Sequence, residues 1–338
     1  KEIKGLSAPL FSSTSATIRN LRLTDVEIET IDTANYGAIA CHLNGGALEN
    51  CSATGNMTYT LATVGLKRVG GLIGYANNCG FFNNTNNINI NFIGELAAGD
   101  GTLLHMGGAA GWLSNPKTTI SNCSNNGSIT ITGGIDRTDI GGFIGYCDAA
   151  AEVVNCHNNG EILLAASLRG SGFSVCTGFI GCADAGFEVE KPTFKITNCS
   201  NTGDVTFGTK GGDDTPATAG EVSAYMHLGG FFGHTRDLTE DYFNVEITNC
   251  QNRGNVTANL LKASSNLKVS GVISNINADA VIDGCTNYGK LSIIRGANNP
   301  FIGALIGQVE DVTAETIDVV LKNSTNEGEI YVSSNVQH

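Results

Sequence analysis

Asn122-Cys123-Ser124-Asn125-Asn126-Gly127 decides the fold, because the same string returns down the chain. It comes back as Asn155-Cys156-His157-Asn158-Asn159-Gly160, as Asn198-Cys199-Ser200-Asn201-Thr202-Gly203 and as Asn249-Cys250-Gln251-Asn252-Arg253-Gly254. Each copy follows a Gly-rich apolar stretch: Gly107 to Gly111, Gly141 to Gly145, Gly178 to Gly181 and Gly229 to Gly233. Two patterns that stay in phase over a long period mark a stack of repeats.

Alternating runs flank these motifs. Ser128-Ile129-Thr130-Ile131 and Glu329-Ile330-Tyr331-Val332 follow the corner glycine, and Ile120, Ile196, Ile247 and Leu321 stand two residues before an Asn. Apolar residues at every second place read as strands with one buried face. The Gly-Gly element supplies a third strand. Three short strands per rung, cornered by Gly and Asn, describe an all-β parallel β-helix. Gly71, Gly108, Gly142, Gly178, Gly230 and Gly271 mark six rungs, with Gly37 before and Ala304 after. A weaker rung in front gives about eight to nine in one domain, 1–338.

The repeats predict ladders. Asn50, Asn83, Asn122, Asn155, Asn198, Asn249 and Asn323 form one set, expected to face inward. Asn86, Asn125, Asn158, Asn201, Asn252, Asn287 and Asn326 form a second. At a strand spacing of about 4.8 Å, stacked amides hydrogen-bond from rung to rung. Cys51, Cys123, Cys156, Cys199, Cys250 and Cys285 share a third column, with Asn84 and Ser324 filling it elsewhere. One Cys per repeat is neither a zinc spacing nor a pairing pattern, so a buried thiol column is expected. The corner glycines Gly55, Gly127, Gly160, Gly203, Gly254, Gly289 and Gly328 suit positive φ.

The formal charge is −13, with 19 Lys and Arg against 32 Asp and Glu. That balance excludes nucleic acid as a partner and disfavours anionic membranes and polyanionic glycans. No apolar run approaches the roughly 18 residues of a spanning helix, so membrane insertion is not expected. The chain starts at Lys1 and reads as part of a larger polypeptide with neighbouring domains.

Leu48-Glu49-Asn50-Cys51-Ser52-Ala53-Thr54-Gly55-Asn56-Met57-Thr58 and Gly70-Gly71-Leu72-Ile73-Gly74-Tyr75 resemble the GLUG-type repeat of bacterial surface proteins. The resemblance runs through nearly the whole chain and implies a right-handed β-helix, secreted or displayed on a bacterial cell surface, with an adhesin-like role. It carries no catalytic residues. Ile88 replaces a corner Gly and Gly284 an Asn of the first set, so distortion is expected in those rungs.

Candidate sites follow from register. Tyr75, Trp112 and Tyr146 follow a glycine in three successive rungs, as a flat aromatic platform for sugar rings would require. Glu161 with Asp204, and Asp148 with Asp184, place carboxylates on neighbouring rungs, roughly 5 Å apart as in retaining glycosidases. Variable loops fall within Cys182 to Thr193, Gly208 to Leu228 and Thr235 to Val245. There, Asp213, Asp214, Tyr225, His227, His234, Arg236, Asp237 and Tyr242 gather polar and aromatic groups. Gly211-Gly212-Asp213-Asp214-Thr215 offers oxygen donors but lacks the acidic density of a dedicated Ca²⁺ site, so no metal and no cofactor are assigned. The expectation is a non-enzymatic adhesin-like protein binding a glycan or host surface protein. A β-helix polysaccharide lyase or hydrolase, or a structural stalk, is the alternative.

Overall fold

A computed structural model describes residues 1–95, 101–114, 119–148, 151–168, 172–184, 192–208, 225–236, 243–264, 266–297, 300–310 and 317–333. Their regular structure is all β, and neighbouring strands pair in parallel from rung to rung. Four sheets run the length of the stack. In chain order within a rung, sheet I has eight strands, from Asn35–Tyr36 to Phe301–Gly303. Sheet II has nine, from Phe11–Thr14 to Ile306–Val309, and sheet III nine, from Ile18–Arg19 to Val319–Lys322. Sheet IV has sixteen and ends at Ile330–Val332. The fold is thus the expected β-helix of nine rungs, with four sheets where three strands per rung are read from sequence. The Gly-Gly pair is itself a corner: Leu103–Gly107 ends on it and Ala110–Ser114 begins beyond it.

The second Asn set is the inner ladder. Asn86 Nδ2 donates to Asn125 Oδ1 at 2.7 Å, Asn125 to Asn158 at 2.7 Å, and Asn158 to Asn201 at 2.8 Å. The chain continues through Asn252 at 2.9 Å and Asn287 at 2.8 Å to Asn326 at 2.7 Å. Each amide also serves its own corner, as when Asn125 Nδ2 donates to Gly127 O at 2.9 Å. The in-phase glycines now have a cause. A Cβ on Gly108, Gly142, Gly178 or Gly230 would overlap the amide of Asn125, Asn158, Asn201 or Asn252 respectively.

The first Asn set corrects the expectation that it faces inward. Asn50, Asn83, Asn122, Asn155, Asn198, Asn249 and Asn323 are exposed and hold φ between 50 and 56°. They form a left-handed corner, which Asn tolerates and which turns the following Cys into the core. Gly284, at φ 64°, makes the same corner, and sheet III stays in register there; the register shifts of that rung lie in sheet IV, between Val256–Ser264 and Leu291–Ala297. Conversely, Gly127, Gly160, Gly203, Gly254, Gly289 and Gly328 do not have positive φ; Gly55 does. Close approach selects them, because a Cβ on Gly160 would overlap the Gly127 carbonyl oxygen of the preceding rung, and so on along the column. Ile88 escapes this constraint because Thr85–Glu95 runs unbroken through that position, in register with Gly55.

The cysteine column is buried, and all eleven thiols are free. Each member accepts an N–H from the rung before: Cys156 N donates to Cys199 Sγ at 3.3 Å and Cys199 N to Cys250 Sγ at 3.4 Å. Asn84 and Ser324 do the same work, with Oδ1 2.9 Å from Cys51 N and Oγ 3.0 Å from Cys285 N. Burial pushes the Cys156 and Cys250 thiols far up from their ordinary value. Within the core, Phe143, Phe179 and Phe231 stack face to face at 5.2 and 4.8 Å.

These columns differ in what they tolerate. Asn201→Ala strips the amides of Asn158 and Asn252 of their partners and is expected to cost about 3 kcal/mol or more. Cys199→Ser, which keeps an acceptor where Ser324 already has one, is expected to cost about 1 kcal/mol. Denaturant midpoints of the two variants measure the contrast.

Candidate functional site

The bend between sheets I and II brings side chains that point away from the apolar core together in its concave angle. On Leu103–Gly107, Leu104 and Met106 point into the core and His105 points out. Seven residues on, across the glycines, Trp112 points out of Ala110–Ser114, and the rings of His105 and Trp112 meet at 5.3 Å. The same step of seven pairs Arg68 with Tyr75 at 4.8 Å, His227 with His234 (Nδ1 to Nδ1, 2.8 Å) and Lys268 with Asn275 (Nζ to Oδ1, 3.0 Å). Register stacks these pairs into two facing columns, Arg68, His105, Asp139, Val175, His227 and Lys268 on sheet I, and Tyr75, Trp112, Tyr146, Cys182, His234 and Asn275 on sheet II. The groove is a second, polar interior lying outside the apolar one.

It is not uniformly closed. His105, Asp139, His227 and Lys268 are buried, whereas Arg68, His42, Tyr75 and Trp112 are half-buried. The groove therefore opens at the rungs of His42, Tyr75 and Trp112.

Inside it, polar tips find carboxylates one rung further on. Trp112 Nε1 donates to Asp148 Oδ1 at 3.3 Å, Ser114 Oγ to Asp148 Oδ2 at 2.6 Å, and Tyr146 OH to Asp184 Oδ2 at 2.6 Å. His105 Nδ1 lies 3.2 Å from Asp139 Oδ2. In the later rungs Lys268 Nζ donates to Glu310 Oε2 at 2.9 Å, and Asn275 Nδ2 lies 3.3 Å from His234 Nδ1. Burial pulls the Lys268 ammonium below its ordinary value, with Glu310 opposing. Burial likewise pulls Arg68 down, against the pull of Tyr75 and Asp148. It also depresses His42, and the nearby Arg68 charge adds to that.

Of the residues singled out in the sequence, Tyr75, Trp112 and Tyr146 do come together, but not as a flat platform. Neighbouring rings meet edge to face, at 5.4 Å and 63° and at 5.1 Å and 74°, because each must also accommodate a sheet I side chain. The flat stack is the Phe column inside the core. Asp148 and Asp184 sit in register in this groove, their oxygens engaged by the donors above. Glu161 and Asp204 lie elsewhere, at the sheet IV corner, where Asp204 Oδ1 accepts from Asn255 N at 2.7 Å and Nδ2 at 3.1 Å. Asp204 there ties one rung to the next. Tyr225 and His234 belong to the later half of the groove, both against Phe173. Arg236 ends a strand, with its side chain outside the description; Asp213, Asp214, Asp237 and Tyr242 lie outside the described residues.

The sheet I column of Arg68, His105, Asp139 and Lys268 escaped the sequence reading. The signal was present: each stands seven residues before its sheet II partner, and Arg68, His105 and Asp139 stand two before the first glycine of a bend, where Lys268 has Ser270. Among the described residues, no group of three or more His, Cys, Asp or Glu is arranged to hold a metal ion.

No protein-family model matches this chain, and no curated protein and no solved structure matches it either. The groove has to be read from its own chemistry.

Asp148→Ala removes the acceptor of the chain's one tryptophan. A cost of about 1–2 kcal/mol and a changed Trp112 emission are expected. Glu161→Gln, on the other face, is expected to stay within about 0.5 kcal/mol and leave the emission unchanged.

Proposed function

We propose that this chain is a non-enzymatic, adhesin-like surface protein that binds a glycan along the groove between sheets I and II. The observation that carries the reading is the open end of that groove, where half-buried Tyr75 and Trp112 stand beside Arg68 and Asp148. Aromatic rings cover the apolar faces of sugars, and charged and amide groups beside them take up hydroxyls. The rod that holds these groups is tied by backbone ladders and, from Asn86 onward, by an amide ladder, so little ordering is required of the protein on binding. Resemblance to the GLUG-type repeat supports display on a bacterial surface. Burial of ten of the eleven thiols is compatible with an oxidising exterior, because a buried thiol pushed up in pKa reacts poorly.

The polysaccharide-cleaving alternative draws less support from the carboxylates. Asp148 and Asp184 are engaged by Trp112, Ser114 and Tyr146, and Asp204 by Asn255.

A glycan and host-matrix binding screen, with turnover assays on whatever binds, tests the reading. Binding without cleavage, weakened at least about tenfold by Trp112→Ala, is expected. Cleavage abolished by Asp148→Asn or Asp184→Asn would make the protein an enzyme.

A further inference from the structure

Arg68 differs from the enclosed lysines among the described residues. Lys67 is paired with Asp32 at 2.7 Å and Lys268 with Glu310 at 2.9 Å. Arg68 forms no ion pair among the described residues. Its guanidinium lies over Trp112 at 4.3 Å and over Tyr75 at 4.8 Å. One arm, Nη1, donates to Asn35 Oδ1 at 3.0 Å, and Nε is shielded with no acceptor. Beside it, His42 packs against Tyr75 at 4.8 Å, and its Nε2 is likewise shielded without a partner. The nearby carboxylate, Asp148, is committed to Trp112 and Ser114.

A guanidinium stacked on aromatic faces keeps its N–H edge available, since the ring contact uses the face and hydrogen bonds lie in the plane. That edge matches a planar carboxylate in two parallel bonds. The surrounding rings offer an apolar wall, and the chain's negative charge gives no general attraction for anions, so any preference for one must be local.

We propose that the open end of the groove binds a sugar residue bearing a single carboxylate, held by Arg68 against Tyr75 and Trp112, with Asn35 orienting the guanidinium. The inference rests on the glycan-binding reading and names its ligand class. A free carboxylate on an otherwise neutral glycan fits it, whereas a densely charged polymer would be repelled by the rest of the surface.

The test is binding of the intact chain to oligosaccharides presented as matched pairs, free acid and methyl ester, with sulfated oligosaccharides as a third arm. Affinities are followed through Trp112 fluorescence. The free acid is expected to bind at least about tenfold more tightly than its ester. Arg68→Met and Arg68→Lys should both erase that difference, the second because a lysine keeps the charge but not the planar fork. Folding of each variant is checked by its circular dichroism and denaturant midpoint, and Arg68→Lys remains informative if Arg68→Met fails to fold. Equal affinity for acid and ester would overturn the carboxylate assignment while leaving glycan binding intact. A preference for sulfated sugars over carboxylated ones would overturn it as well. Binding to no glycan in any arm would overturn both readings.

Discussion

Everything in this molecule is subordinate to the fit between an inner asparagine and a glycine that has no side chain. The amide of Asn125 sits where a Cβ on Gly108 would be, and it bonds forward to Asn158, which sits against Gly142. In a low-dielectric interior such bonds strengthen one another, and one missing member exposes two buried polar groups. Register follows. A rung that slipped by one residue would put every amide against a side chain and every apolar residue in solvent.

The sequence displayed this fold because its constraints are periodic. Cys199, Asn201 and Gly203 each recur for a steric or hydrogen-bonding reason that repeats at every rung, and a repeated reason leaves a repeated letter. Two letters recur for reasons other than those their periodicity suggests. Asn198 has the spacing of an interior amide and is an exposed left-handed corner; Gly203 has the spacing of such a corner and is instead pressed against the backbone of the preceding rung. Composition cannot separate the two causes, since Asn and Gly share both tolerances. Gly284 and Ile88 show the separation by substituting freely where the other cause applies.

The groove was legible only by halves. Its sheet II column showed because Tyr75, Trp112 and Tyr146 are alike in kind. Its sheet I column, Arg68, His105, Asp139, Val175, His227 and Lys268, varies in kind from rung to rung. No core constraint acts on those positions, because they point away from the apolar interior. The same freedom makes them suited to carry specificity. Aromatic, cationic and acidic groups can be exchanged there without touching the ladder that holds the rod together.

A stack of nine rungs spaced by about 4.8 Å extends roughly 38 Å from first rung to last, and it works as a ruler. Its graduations cannot stretch, because each is set by backbone hydrogen bonds and by the amide chain. An elongated ligand brings graduations of its own. Unless the two intervals coincide, they agree over a few rungs and then drift out of phase, so added ligand length soon ceases to add matched contacts. Recognition along such a ruler is local, and one open stretch of groove can be enough to define it.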